Sequence, residues 1–183
     1  MTKLLAVLLA LLSSMAYAGD LTIQRFALPS HETLVMPVPD AWQCDVLPTD
    51  HQQPAVLRCC AKAGSGFEMQ LAPSLPVSGK SARSAARDLR RSVERMASAE
   101  RANVTERNPA IRSLPTSDGA GYYFSATLLQ PRSGHFMHIT RGAIPAGHGT
   151  IAFTLLSDTD DRALVDAALL VLGDSRVEPA PAH

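Results

Sequence analysis

Apolar and polar residues alternate along Leu21–Leu28 with the period of a half-buried strand, which Pro29 ends. A second extended run covers Glu32–Val38. Pro37 and Pro39 place it at a sheet edge or entering a bend, because proline donates no ladder hydrogen bond. Trp42, Cys44 and Val46 share what should be the buried face of a short third strand, and Pro48–Pro54 follows as a polar turn. Ala55–Lys62 returns as a strand, and Gly64–Gly66 leads into the alternating Phe67–Ala72. The short turns between these segments predict antiparallel pairing.

The period then changes. Ala82, Ala85, Ala86, Leu89, Val93 and Met96 recur at three- and four-residue spacing, which predicts a helix over Ser81–Ala99 with Ser81 as its N-cap. A weak strand follows at Ala110–Leu114. Gly121–Leu129 and His135–Ile144 read as a hairpin about Pro131–Gly134, and Ile151–Leu156 as a last strand after the turn at Gly147–Gly149. A final helix is expected from Asp160 to Leu172, with Val165, Ala168, Leu169 and Leu172 buried and Gly173 at its C′ position. The expected fold class is α+β: an antiparallel β-sheet of about six to eight strands, with a long central helix and a C-terminal helix packed on it. One domain spans 19–174, and 175–183 is expected to be a disordered tail.

This order of elements, together with Met36–Trp42, resembles the PsbP-like fold, a group that includes the Ran-binding Mog family and the bacterial DcrB family. The shared features are the Pro39-Asp40-Ala41-Trp42 element after an extended segment, and the late strand Ile151–Thr154 ahead of the C-terminal helix. The resemblance covers nearly all of the chain after its leader. It implies an adaptor or accessory subunit that binds other proteins, and it supplies no catalytic residue to carry over. Fold analogy alone assigns no function.

The leader is residues 1–18. Lys3 provides a positive start, Leu4–Leu12 is continuously apolar, and Ala16-Tyr17-Ala18 offers small residues to a signal peptidase. Nine apolar residues are too few for a membrane span, which needs roughly 20. The expectation is a cleaved signal peptide and a periplasmic or secreted protein of a Gram-negative bacterium. Of 17 basic and 17 acidic side chains in the chain, the leader removes Lys3 alone. The near-neutral remainder excludes a globally basic nucleic-acid binder, and 5% aromatics give little support to a sugar- or base-stacking platform.

Export changes the meaning of the three cysteines, since an oxidising compartment favours disulfides. Cys59 and Cys60 are neighbours on a strand and point to opposite faces, so they are poor partners for one another. Cys44 shares its face with Trp42, and Cys59 shares its own with Leu57 and Ala61, so Cys44–Cys59 is the expected bridge. Cys60 is the alternative partner, because a one-residue register shift swaps the faces. The remaining thiol is expected to be inert beside Arg58 and Lys62.

Catalytic and metal-binding signals are weak. His135 and His138 lie on opposite faces of a strand, and no carboxylate or thiol sits beside them at ligand spacing. Asp158, Asp160 and Asp161 precede a helix, where acids serve its N-terminus. Ser65 lies in a turn between strands, so it is not a nucleophile elbow, and no phosphate loop is present. No cofactor, no metal and no enzyme activity are expected.

The long helix carries the one charge asymmetry. Arg83, Arg87, Arg90, Arg91 and Arg95 face away from its apolar stripe, with Arg101 beyond. Residues 80–101 hold seven basic side chains against three acidic ones, Asp88, Glu94 and Glu100. Such a face suits an acidic protein partner in the cell envelope, or a weak contact with anionic lipid headgroups, and a solvated helix face is the bland alternative. The expected function is an exported accessory or immunity-type binding protein. A small hydrolase with a dispersed site and a structural envelope component are the competing readings.

Overall fold

The computed structural model describes residues 20–28, 32–47, 56–62, 66–74, 82–132, 136–147, 149–158 and 162–179. The leader, Ser65 and five of the six histidines therefore lie outside the described residues. The strands are β1 (Leu21–Ala27), β2 (Thr33–Pro39), β3 (Trp42–Leu47), β4 (Val56–Ala61), β5 (Phe67–Ser74), β6 (Arg112–Thr116), β7 (Gly119–Arg132), β8 (Phe136–Ala146), β9 (Gly149–Ser157) and β10 (Arg176–Glu178). Among the described residues two helices, α1 (Ala82–Glu100) and α2 (Arg162–Asp174), interrupt them. No described helix is long and apolar enough to cross a membrane.

The strands form two antiparallel sheets. Seven strands run in the order β3-β4-β5-β9-β8-β7-β6, and three run β1-β2-β10. The α+β class and the antiparallel sheet are as expected, whereas the separate small sheet is a finding of the structure. Proline explains its shape. The sequence places β2 at an edge or a bend, but it is the middle strand. β10 pairs only with Thr33, Leu34 and Val35 and stops before Pro37, so the missing N–H groups of Pro37 and Pro39 are not needed on that side. The expectation of a disordered tail from 175 onward is thereby corrected through Glu178. Glu178 pairs with Arg25 and Arg176, and both Arg176 and Glu178 lie in the ladder to β2.

Strand alternation gives the large sheet two buried faces. One packs under α1, where Leu89, Val93 and Ala97 meet Phe124, Ala126, Leu128, Ile139 and Leu156. The other packs under α2 and β2, where Ala168, Leu169 and Leu172 join Met36, Trp42, Met69, Phe153 and Leu155. Tyr123, Ile144 and Leu155 face this second core, and their chain neighbours Phe124, Ala143 and Leu156 face the first. Trp42 and Phe67 set their ring centroids 4.9 Å apart within the second core.

Three details differ from the pattern reading. Val46 shares the strand face of Trp42 and Cys44 but is 53% exposed, because β3 is an edge strand and the core ends before reaching it. On α2, Leu164 and Val171 are buried where Val165 is only partly covered. Gly173 belongs to the last turn of α2 and does not cap it: a Cβ there would stand 3.0 Å from the Pro115 carbonyl oxygen, so glycine lets the helix approach β6.

Candidate functional site

Cys44 and Cys59 are directly opposed on β3 and β4, with Cα atoms 4.0 Å apart, and they are joined as a disulfide. The bridge ties an edge strand to the sheet. Cys59 is fully buried, and the bond lies on the face of the second core, as strand parity predicts. Cys60 is a free thiol on the opposite face, in register with Gln43 on one side and Glu68 on the other. Burial raises its pKa, Arg58 opposes this in part, and Glu68 and Asp45 add to the rise. A thiol held in its protonated form is a weak nucleophile.

α1 lies on β7 and β8 with its arginine face outward. Arg87, Arg90, Arg91 and Arg95 are all exposed, and the side chain of Arg83 lies outside the described residues. Arg90 pairs with Glu94 at 3.1 Å, and its guanidinium carbon stands 5.9 Å from the centroid of the Tyr122 ring on the sheet below. Arg91 approaches Asp88 at 4.0 Å. Both ion pairs are exposed and weak, since such pairs contribute about 0–1 kcal/mol. Glu100 does not belong to this surface. It turns inward, is 4% exposed, and pairs with Arg141 of β8 while accepting from Asn103 Nδ2 at 3.3 Å. The outer face is therefore more basic than the count over 80–101 implies, because one of its three carboxylates is spent in the interior.

No group of three His, Cys, Asp or Glu able to hold a metal ion is found among the described residues. His138 is the described histidine, and Asp160 and Asp161 lie outside the described set.

A cleft of about 290 Å³ opens on the α2 side of the sheet. The strand register explains its chemistry. Across one row of this face, Leu155 is followed by Thr140 and Ser125; across the next, Phe67 is followed by Ser157, His138 and Thr127. The face thus turns from apolar to hydroxyl-bearing as it runs toward β7. Thr140 and Ser157 are 4% and 3% exposed, and the Thr140 and Ser125 hydroxyl oxygens are 2.7 Å apart. Arg112 and Tyr123 stand at one end in cross-strand register. At the other end the Thr127 amide donates to Glu106 Oε2 at 2.7 Å, and the Thr127 hydroxyl donates to Oε1 at 3.0 Å. Burial tends to raise the pKa of Glu106. The bonds from Thr127 and from its own amide, with His138 nearby, outweigh that and hold the carboxyl below the usual range. Arg162 and Asp166 of α2, 3.9 Å apart, border the cleft. Of these lining residues the sequence singles out His138, as a weak metal-ligand candidate; Tyr123, Ser125 and Thr127 carry no local sign of a cleft.

Neither a family model nor a curated protein sequence matches the chain. Solved structures do. The chain is similar to cyanobacterial PsbP (CyanoP) from Synechocystis sp. PCC 6803, with a TM-score of 0.52 and 14% identity over 87% of this chain and 95% of that one. It is also matched to LpqN, involved in cell envelope biogenesis of Mycobacterium tuberculosis, at a TM-score of 0.38 and 16% identity over 88% and 93% of the two chains. At these identities the likeness concerns the fold: the chain has a PsbP-like architecture.

Proposed function

We propose that this chain is an exported accessory protein that works without catalysis, by binding a protein partner in the periplasm through the outer face of α1. The observation that carries this reading is the exposure of Arg87, Arg90, Arg91 and Arg95 on one helix face, while the chain as a whole has equal numbers of basic and acidic side chains. An excess of one sign concentrated on a rigid element steers an oppositely charged partner and fixes its orientation. The helix is well anchored for this role. Leu89, Val93 and Ala97 are buried beneath it, and Glu100 fixes its end to Arg141.

Affinity capture from periplasmic extract with the tagged protein tests the reading. The expected result is a stoichiometric acidic partner that is lost in the Arg87→Glu, Arg90→Glu, Arg91→Glu variant and released by added salt. Equal recovery of partner by the variant, or ester or peptide turnover by the purified protein, would overturn it.

A further inference from the structure

The cleft beneath α2 has a composition that packing does not require. A helix lying on a sheet normally covers apolar side chains, and α2 does so over Phe153 and Leu155. Toward its N-terminal half the same sheet face presents Ser125, Thr127, Thr140, Ser157 and His138 around an open volume. The Thr140 and Ser125 hydroxyls bond each other and the Thr127 hydroxyl bonds Glu106, so the floor is an ordered polar network whose exposed member, Ser125, lines the open volume.

The charges at the rim are balanced and separated. Arg112 and Arg162 are matched by Glu106 and Asp166, which argues against a polyanion. Arg112 is in register with Tyr123, and Glu106 is fixed to Thr127. These anchor points are four residues apart on β7, or about 13 Å. The arm of Arg112 covers part of that distance, and an extended dipeptide spans about 7 Å of the remainder. The volume is near the lower end for small-molecule pockets, which also suits a compact ligand.

We propose that this cleft binds a short zwitterionic peptide. Its carboxylate lies on Arg112, its ammonium group lies at Glu106, and its backbone amides meet the hydroxyls of Ser125 and Thr140. Glu106 is held in place by the amide and hydroxyl of Thr127, so the cation-accepting pole is preformed. The cleft is on the sheet face opposite α1, so this site and the arginine face stand or fall separately.

Amide NMR titration of the oxidised, intact protein with L-alanyl-L-alanine, inorganic phosphate and trehalose as separate probes tests this. The dipeptide should shift the amides of Thr127 and Thr140. Arg112→Gln and Glu106→Gln should each weaken it about tenfold or more, the loss expected for a charge-assisted hydrogen bond, with the amide spectrum otherwise retained. Arg91→Glu should leave binding unchanged. The proposal is overturned if the dipeptide shifts no cleft amide, if phosphate or trehalose binds there in preference, or if dipeptide affinity survives both cleft substitutions.

Discussion

Arg25 and Glu178, 153 residues apart, meet across the middle strand of the small sheet: the Arg25 guanidinium donates to Glu178 Oε2, and Arg176 reaches Oε1 at 3.1 Å. Arg25, Val35 and Arg176 lie in one register row over β1, β2 and β10. Val35 points away from the second core yet is only 1% exposed. The ionic cluster thus joins the first and last described strands where a three-residue ladder would otherwise hold β10 alone.

The hydrogen bond from Arg25 is the main reason the Glu178 carboxyl sits below its ordinary pKa of 4.5. A carboxylate with a depressed folded-state pKa contributes stability that is complete above the unfolded value and lost as pH falls through the folded one. β10 is therefore expected to loosen as pH drops below about 4.5, and Glu178→Gln should produce the same loosening at neutral pH. Hydrogen exchange at the amides of Arg176 and Glu178 measures this. Unchanged protection in both cases would show that the ladder alone holds the strand.

The Cys44–Cys59 bridge closes a 15-residue separation, for which chain entropy predicts about 3 kcal/mol. Cys44→Ser should lower the stability of the folded protein by about that amount in denaturant melts, whereas Cys60→Ser should have little effect. Thiol counting on the native protein should find a single slowly reacting group.

Glu100→Ala leaves the Arg141 cation partly buried without its partner. Breaking such a pair costs about 3–5 kcal/mol, more than any arginine on the outer face of α1 should. A double substitution, Glu100→Leu with Arg141→Met, should recover much of the loss. Thermal melts of the three proteins decide between an anchoring pair and an incidental one.

The sequence carries the strands and helices because their patterns are periodic and local. Phe67–Ala72 alternates, and Leu89, Val93 and Met96 recur on one helix stripe. Parity favours Cys59 over Cys60 as the partner of Cys44, but the register that excludes a one-residue shift to Cys60 is visible only in the pairing of β3 with β4. The division into two sheets is not legible, because it depends on where β10 finds an unpaired edge of β2, a contact across 141 residues from Arg176 to Val35. The inward turn of Glu100 is hidden for the same reason: its partner Arg141 comes from a distant strand. The cleft is the least legible feature. On β7 the alternation of Tyr123, Ser125 and Thr127 with Phe124, Ala126 and Leu128 announces one buried face, and nothing local shows that α2 comes to roof the other.

The central claim is that the outer surface of the long helix meets a protein. A photoreactive amino acid placed at Arg87 or Arg91, with the exposed Leu170 on α2 as the control, tests it in living cells. One discrete crosslinked product is expected from the two α1 positions and none from Leu170. Silence at both α1 positions, or equal labelling at Leu170, would contradict it.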